Sequence, residues 1–390
     1  MTFFIVASAI KVFVVFNLIM VGVALLTLLE RRVCAWMQDR LGPNRVGPQG
    51  ILQPAADGLK NFLKEETSPA MADKALFTLA PLVSFVPALL TFGVIPFASP
   101  LPTPWGVVPM VVADLPIGFL YILAISSLGV YGIVLAGWAS NNKYALLGGL
   151  RASAQMISYE IALGMSTVAV LLLAGNVTLS RVIAQQQHAH AWFIVPLTLS
   201  FVIFFVSALA ETNRLPFDLP EAEAELIAGY HTEYSSMKFS MFYIAEYSNM
   251  VTASALMATL FFGGWDIPLT SWDSTGDPTV AKTVLTLLAF GVKTFMFLFA
   301  FIWVRWTLPR FRYDQLMALG WKVLLPLTLL YIAILAVAIW FLRMQLGWDY
   351  GPGMAYTLGG LNLILLVALV WWLDRGRIVS GSVAEAAGGA

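Results

Sequence analysis

The sequence predicts an all-α polytopic membrane protein of about nine transmembrane helices, with one further amphipathic helix lying in the membrane interface. Three observations carry this. Hydrophobic residues make up 59% of the 390 and charged residues 11%, where soluble domains carry about 25% charged. The apolar residues fall in runs close to the roughly 20 residues that a helix needs to cross a bilayer. The basic residues are sorted between the connecting loops, 17 on one side and 3 on the other, with Lys11 and Lys293 inside apolar runs.

The first run, 8–29, has no basic stretch ahead of it and is followed by Arg31 and Arg32. That pattern predicts a retained helix and not a cleaved signal peptide. Between Gly50 and Glu66, Ile51, Ala55, Leu59 and Phe62 recur on one helical face, with Asp57, Lys60 and Lys64 opposite. This is the pattern of an amphipathic helix, 50–66, lying in the interface. Pro54 is tolerable near its first turn, and Gly42-Pro43-Asn44 and Gly47-Pro48 turn the chain ahead of it. Further spans are expected at 76–97, 117–138, 155–175, 192–210, 241–262, 283–304, 323–342 and 355–373. The Pro-rich loop 98–114 and the Gly- and Asp-containing loop 263–281 read as ordinary turns. Residues 1–377 therefore form one transmembrane domain, and the small polar segment 378–390 is expected to be a disordered tail.

Positive charge marks the cytoplasmic side. The loops holding Arg31, Arg40, Arg151, Arg214, Arg305 and the Arg375–Arg377 pair then face inward. The N-terminus is expected outside and the C-terminus inside, which requires an odd number of spans.

Composition excludes several functions. The formal net charge is zero, which gives no electrostatic support for nucleic acid. Cys34 is the single cysteine, so the chain alone holds neither a disulfide nor a cysteine-ligated iron–sulfur cluster. His188, His190 and His231 lie outside the long apolar runs, which argues against haem between membrane histidines. There is no phosphate-binding glycine loop, no metal-ligand spacing and no nucleophile triad. No metal, flavin or iron–sulfur cluster is expected on this chain.

Acid is concentrated in the loop 211–240. Glu211, Asp218, Glu221, Glu223, Glu225 and Glu233, with Glu246 just beyond, face only Arg214 and Lys238. Leu215, Pro216, Phe217, Leu219, Pro220, Leu226 and Ile227 are interleaved with them, as in a loop that packs. Packed carboxylates raise one another's pKa and become proton-exchanging groups near neutral pH. Ionisable residues inside the membrane are costly and commonly functional. Glu160 lies nine residues past Arg151, about 13 Å along a helix, near mid-membrane. Glu211 and Glu246 fall at span ends and Lys293 near a span centre, where it is a candidate partner for Glu160. Asp114 and Lys11 read as snorkelling end residues.

Four segments carry a resemblance: ERRVCAWMQDRLGPNRVGPQGILQPAADGLKNFLKE (30–65), GWASNNKYALLGGLRASAQMISYE (137–160), AETNRLPFDLPEAEAELIAGYHTEYSSMKFSMFYIAEY (210–247) and RWTLPRFRYDQLMALGWK (305–322). In this order they closely resemble the membrane-arm H subunit of respiratory complex I, called subunit 1 in mitochondria. The resemblance runs from about residue 8 to 345; the last span and tail extend past the shorter members and lean bacterial, which implies the inner (cytoplasmic) membrane of a bacterium.

The resemblance implies a place at the junction of membrane and peripheral arms, with other complex I subunits and the lipid bilayer as partners. The substrate would be a quinone, ubiquinone or menaquinone, entering from the bilayer between the first span, the amphipathic helix and the sixth span. The quinone would be reduced in the peripheral arm by electrons from another subunit's cluster. Glu30, Arg31, Arg40, Asp57, Glu233 and Arg305 then correspond to the quinone chamber. Asp218, Glu221, Glu223 and Glu225 correspond to the acidic loop, and Glu160, Glu211 and Glu246 to intramembrane acids that couple quinone reduction to proton translocation. Two other readings keep their place: the homologous subunit of a membrane-bound hydrogenase or related dehydrogenase, and a stand-alone ion transporter. The absence of internal repeats counts against the transporter.

Overall fold

The computed structural model describes residues 2–218, 228–268, 270, 272–273 and 276–374. Among these, eleven helices follow one another in the chain. They are α1 (Thr2–Met37), α2 (Gln53–Leu63), α3 (Lys74–Leu90), α4 (Gly118–Ala139), α5 (Lys143–Ala174), α6 (Leu179–Ala189), α7 (Thr198–Glu211), α8 (Ser236–Phe261), α9 (Val280–Thr307), α10 (Tyr313–Gln345) and α11 (Pro352–Asp374). Seven of them, α1, α3, α4, α5, α9, α10 and α11, are long and apolar enough to cross a membrane. The chain is therefore an all-α, multi-pass membrane protein.

The other two expected spans differ from that pattern for identifiable reasons. Run 192–210 forms a helix only over Thr198–Glu211, because Trp192 to Leu197 turn and lead into it. Run 241–262 lies in the 26-residue α8, whose polar residues, Lys238 and Glu246 among them, dilute its apolar character.

Local chemistry sets the helix ends. Asp73 caps α3 by accepting from the Ala75 and Leu76 amides at 3.0 and 3.2 Å, and Asn142 caps α5 through the Tyr144 amide at 2.9 Å. Helix α5 stops at Gly175, in the left-handed region at φ 65°. Helix α10 absorbs two π-helical stretches, Leu319–Leu324 and Phe341–Gln345. Small residues let helices approach closely in a membrane. A Cβ on Gly132 of α4 would lie 2.1 Å from Ser84 Oγ on α3.

Helix α8 is the buried centre of the bundle. From Thr252 to Phe261 every residue is buried. Its neighbours include α1, α3, α7 and α9. The connections between spans hold more structure than the sequence predicts, including the loop 98–114 expected as a plain turn. The 98–114 loop contains a hairpin pairing Leu101–Thr103 with Gly106–Val108, and Lys11 donates at 2.6 Å to Val111 O just beyond it. The connection after α5 folds into α6, whose Ser180 hydroxyl donates to both Asp114 oxygens at 2.9 and 3.0 Å.

The amphipathic helix is shorter than the expected 50–66 and turns its faces as a membrane surface requires. Leu59, Phe62 and Leu63 are exposed, whereas Asp57 faces α1 and pairs with Arg31 at 2.6 Å. Its far end is held by Ser236, whose hydroxyl lies 2.8 Å from Asn61 O and 3.0 Å from Lys64 O. An apolar face thus points outward and a polar face is tied to the bundle, the division of faces that an interfacial helix requires.

Candidate functional site

Four elements distant in sequence deliver charge to one buried place. Glu30 comes from the end of α1, Arg214 from the turn after α7, Glu246 and Tyr247 from α8, and Arg305 from the end of α9. Glu30 and Arg214 have side chains only 6% and 4% exposed. Arg214 Nη1 donates to both Glu30 oxygens at 3.1 Å. The Tyr247 hydroxyl donates to Glu30 at 2.7 Å, and Arg305 pairs with the same carboxylate. Arg214 Nε lies 2.7 Å from Glu246 Oε1, and its guanidinium sits 4.2 Å from the Tyr247 ring centroid. Two guanidinium groups thus balance two carboxylates, and a phenol and an aromatic face supply further partners. Buried charges persist only when paired in this way.

Asp218 borders the cluster and pairs with Arg310 at 3.1 Å. Its Oδ1 is buried with no hydrogen-bond partner among the described residues. Burial raises the Asp218 pKa above its ordinary value, and the attraction of Arg310, Arg305 and Arg214 does not fully offset it. Asp57 is the opposite case. Burial raises its pKa, but the Arg31 bond and charge, with Gln53 and Lys60, outweigh that and leave it lowered.

A small cavity of about 30 Å³ lies on the other side of Glu246 and is lined by Glu246, Glu211, Ser84, Asn249 and Tyr230. It is large enough for a water molecule. Glu211 in turn lies close enough to Glu160 of α5 for their charges to repel. Gln155, one turn before Glu160, donates to Ala210 O at 2.9 Å and Phe217 O at 2.8 Å, pinning the end of α7 to α5. The carboxylates therefore form a series: Glu30, Arg214-bridged to Glu246, then Glu211, then Glu160.

Sequence reasoning had offered Lys293 as a partner for Glu160. The geometry does not pair them, because Lys293 Nζ donates instead to the carbonyls of Phe262 at 2.7 Å and Gly264 at 3.0 Å and to that of Asp266. Arg40 also stands apart from the cluster. It is exposed and bonds Gln38 Oε1 at 2.7 Å and Cys34 Sγ at 3.4 Å. Glu233 accepts from Asn142 Nδ2 at 2.6 Å, at the cap of α5. Glu221, Glu223 and Glu225 lie outside the described residues. Sequence reasoning gave no role to Arg214, which proves central, or to Tyr247. The available signal was that Arg214 is the lone base between Glu211 and Asp218 in an acidic stretch.

The segment after the acidic run packs tightly. Tyr234 stacks on Phe77 of α3 with centroids 4.0 Å apart. Gly229 presses on α5 so closely that a Cβ on Gly148 would meet its Cα at 2.7 Å. His231 is 8% exposed, edge-on to Tyr230 and Phe239 at 4.9 and 5.2 Å. Burial lowers its pKa from 6.5 to about 4. Between those values the unfolded segment binds a proton that the folded one does not. Stability from this group is therefore complete above 6.5 and falls as pH drops toward 4, by about 3 kcal/mol at the acid limit. Amide-exchange protection of 228–235 should fall from about pH 7 to about pH 5, and a His231→Phe variant should lose that dependence. Equal pH dependence in both proteins would reject this account.

An apolar passage runs along α1 and α9. One cavity of about 960 Å³ is lined near the chain's start by Phe3, Val6, Ile10 and Trp105. A second, of about 530 Å³, reaches Arg32 and Ile51 beside the charged cluster. They share Leu18, Phe92, Val251, Phe295 and Leu298, so the two lie end to end with a common wall.

Comparison with known proteins gives one consistent answer. Residues 10–336 match the family described as NADH dehydrogenase. A protein of Cytophaga hutchinsonii, named as H subunit 1 of NADH-quinone oxidoreductase, is 50% identical over 336 residues, covering 86% of this chain and 97% of that protein. A protein of the same name in Geobacter metallireducens is 51% identical, covering 83% of this chain and 94% of its own length. The protein of Geobacter sulfurreducens named as H subunit 2 of the same oxidoreductase matches to the same extent, 51% over 324 residues. The chain, a multi-pass membrane protein, therefore belongs to the NADH dehydrogenase family, among relatives that are subunits of the enzyme complex NADH-quinone oxidoreductase.

Proposed function

We propose that the chain forms the membrane part of the quinone chamber in a proton-translocating NADH:quinone oxidoreductase, in the cytoplasmic membrane of a bacterium. Its partners are the other membrane-arm subunits and the peripheral-arm subunits that deliver electrons. The observation that carries this is the junction of two features. The apolar passage ends at Arg32 and Ile51, next to Glu30 in the charged cluster, and the carboxylate series leads inward from there to Glu160.

The apolar walls suit an isoprenoid tail arriving from the bilayer, which exchanges lipid contacts for packing against the protein. Arg31, Asp57 and the Glu30–Arg305 pair stand where a polar head group would pass. A quinone that gains negative charge on reduction attracts Arg305 and Arg214. That weakens their hold on Glu30 and Glu246 and raises the proton affinity of those acids. The change then passes through the cavity to Glu211 and on to Glu160. A one-unit pKa change is about 1.4 kcal/mol, so modest charge shifts at the cluster suffice to move protons.

Gly22 gives a selective test. It lines the inner cavity, and a Cβ there meets nothing within 4 Å, so the side chain of Gly22→Trp can leave the helix there and obstruct the passage. With the assembly purified through this chain, KM for a long-tailed quinone should rise about tenfold, equivalent to 1.4 kcal/mol of lost tail binding. Turnover of a tail-less quinone should stay unchanged. An equal effect on both quinones, or no NADH-driven quinone reduction by the assembly at all, rejects the proposal.

A further inference from the structure

A second ionisable site lies at the other end of α8, apart from the charged cluster. Helix α8 stops at Phe261, and Gly263 and Gly264 then turn the chain with φ of 72° and 57°. Lys293 of α9 caps this turn by donating to the Phe262, Gly264 and Asp266 carbonyls. Its ammonium sits 4.2 Å from the Trp192 ring centroid. All three of its N–H groups are spent on backbone, so Lys293 supplies charge to its neighbours without a direct ion pair.

Two carboxyl groups meet beside it. Asp266 and Asp273 are 6% and 7% exposed, and their carboxyls lie close enough for their charges to repel. Trp192 Nε1 donates to Asp266 Oδ2 at 2.6 Å. Gln187 Nε2 of α6 and the Ile267 amide donate to Asp273 Oδ2 at 3.0 and 3.2 Å. The remaining oxygen, Asp273 Oδ1, is buried and receives no hydrogen from any donor among the described residues. Two ionised carboxylates buried side by side repel each other, and a proton on one relieves this and gives it a hydrogen to donate. Gln187 and Trp192 are neutral, and Lys293 is the cation acting on the pair. Lys282, on the first turn of α9, is engaged with Asp277 O at 3.2 Å and the Trp272 ring.

We propose that Asp266 and Asp273 form a proton-binding pair that holds one shared proton, with Lys293 as its positioning cation. The site binds and releases that proton by breaking one carboxyl O–H bond and passing the proton to water. Loss of the proton leaves two adjacent negative charges, which draw Lys293 off the carbonyls of the turn and loosen the end of α8. Burial raises the Asp266 pKa to about 6, Asp273 adds to this, and the Trp192 bond opposes it. The pair is thus poised to exchange near neutral pH. The proton-binding assignment rests on the burial of both carboxyls, the unmet Asp273 Oδ1 and the Lys293 ammonium beside them. Its use as the release point for translocated protons rests on the function proposed above.

Infrared difference spectroscopy of the intact purified assembly tests the pair directly. The wild type should show a protonated-carboxyl band, shifted in D2O, that disappears with a midpoint near pH 6. D266N and D273N should each remove it. W192F keeps both carboxyls and removes a bond that favours the ionised form, so the midpoint should rise. A band unaffected by all three substitutions, or the absence of a titrating band in the wild type, overturns the pair. Proton release per electron then tests its use. D273N should lower the ratio several-fold while quinone reduction continues, and an unchanged ratio overturns the release role. Absence of quinone reduction in the wild type would defeat the earlier proposal, while the infrared band still decides the pair.

Discussion

Replacing Arg214 with methionine is expected to destabilise the chain by about 3–5 kcal/mol, the usual cost of removing one partner from a buried ion network. Arg214 bonds Glu30 through Nη1 and faces Glu246 through Nε. Without it Glu246 loses its close cation, whereas Glu30 keeps Arg305 and Tyr247. The damage should therefore concentrate on Glu246. Adding Glu246→Leu to Arg214→Met should restore much of the loss, because a well-packed apolar replacement of a buried ion pair is often neutral. The thermal midpoint of the membrane-embedded assembly and the amount of chain incorporated both report on this. If the double variant is no more stable than the single, the two residues are not coupled and the cluster has been misread.

The second large effect concerns Glu211. Glu211→Gln keeps shape and hydrogen-bonding capacity but cannot ionise. It should leave assembly intact and reduce protons translocated per electron several-fold. Glu160→Gln should do the same, since Glu160 is the next carboxylate in the series. Glu211 lines the cavity that also touches Glu246, so its loss opens the series in the middle. Proton uptake and quinone reduction measured on the same vesicles separate this from general damage. Unaltered ratios in both variants would sink the carboxylate series as a path.

Much of this was readable in the residues. The apolar runs located α1, α3, α4, α5, α9, α10 and α11 because membrane helices carry their burial signal in composition alone. The amphipathic helix was legible from its opposed faces, though Asp57 turns inward to Arg31 and not to solvent. Short α7 and polar α8 blurred the count, since their stability comes from packing inside the bundle. The acids Glu30, Glu211 and Glu246 and the base Arg305 could be singled out in one dimension. Their order could not, because adjacency between α1, α8 and α9 is a property of packing. Arg214 and Tyr247 escaped for that reason. The Asp266–Asp273 pair was hidden in a loop whose Gly, Ser and Pro content reads as a plain turn, and only the arrival of α6 and Lys293 makes it a site.

The spacing of the charged cluster along the chain has a consequence for biosynthesis. Glu30 belongs to the first helix made, but Arg214 follows it by 184 residues and Arg305 by 275. At about 5–20 residues per second, the ribosome needs on the order of tens of seconds to supply both arginines. Until residue 214 is made the nascent α1 carries a carboxylate with neither guanidinium partner, and until residue 305 with only one. Position at the last turns of α1, next to Arg31 and Arg32, lets Glu30 wait at the aqueous edge until α8 and α9 arrive. Closure of the cluster is thus a late step of insertion, and a ribosome that stalls before residue 305 leaves a chain that has entered the membrane without locking.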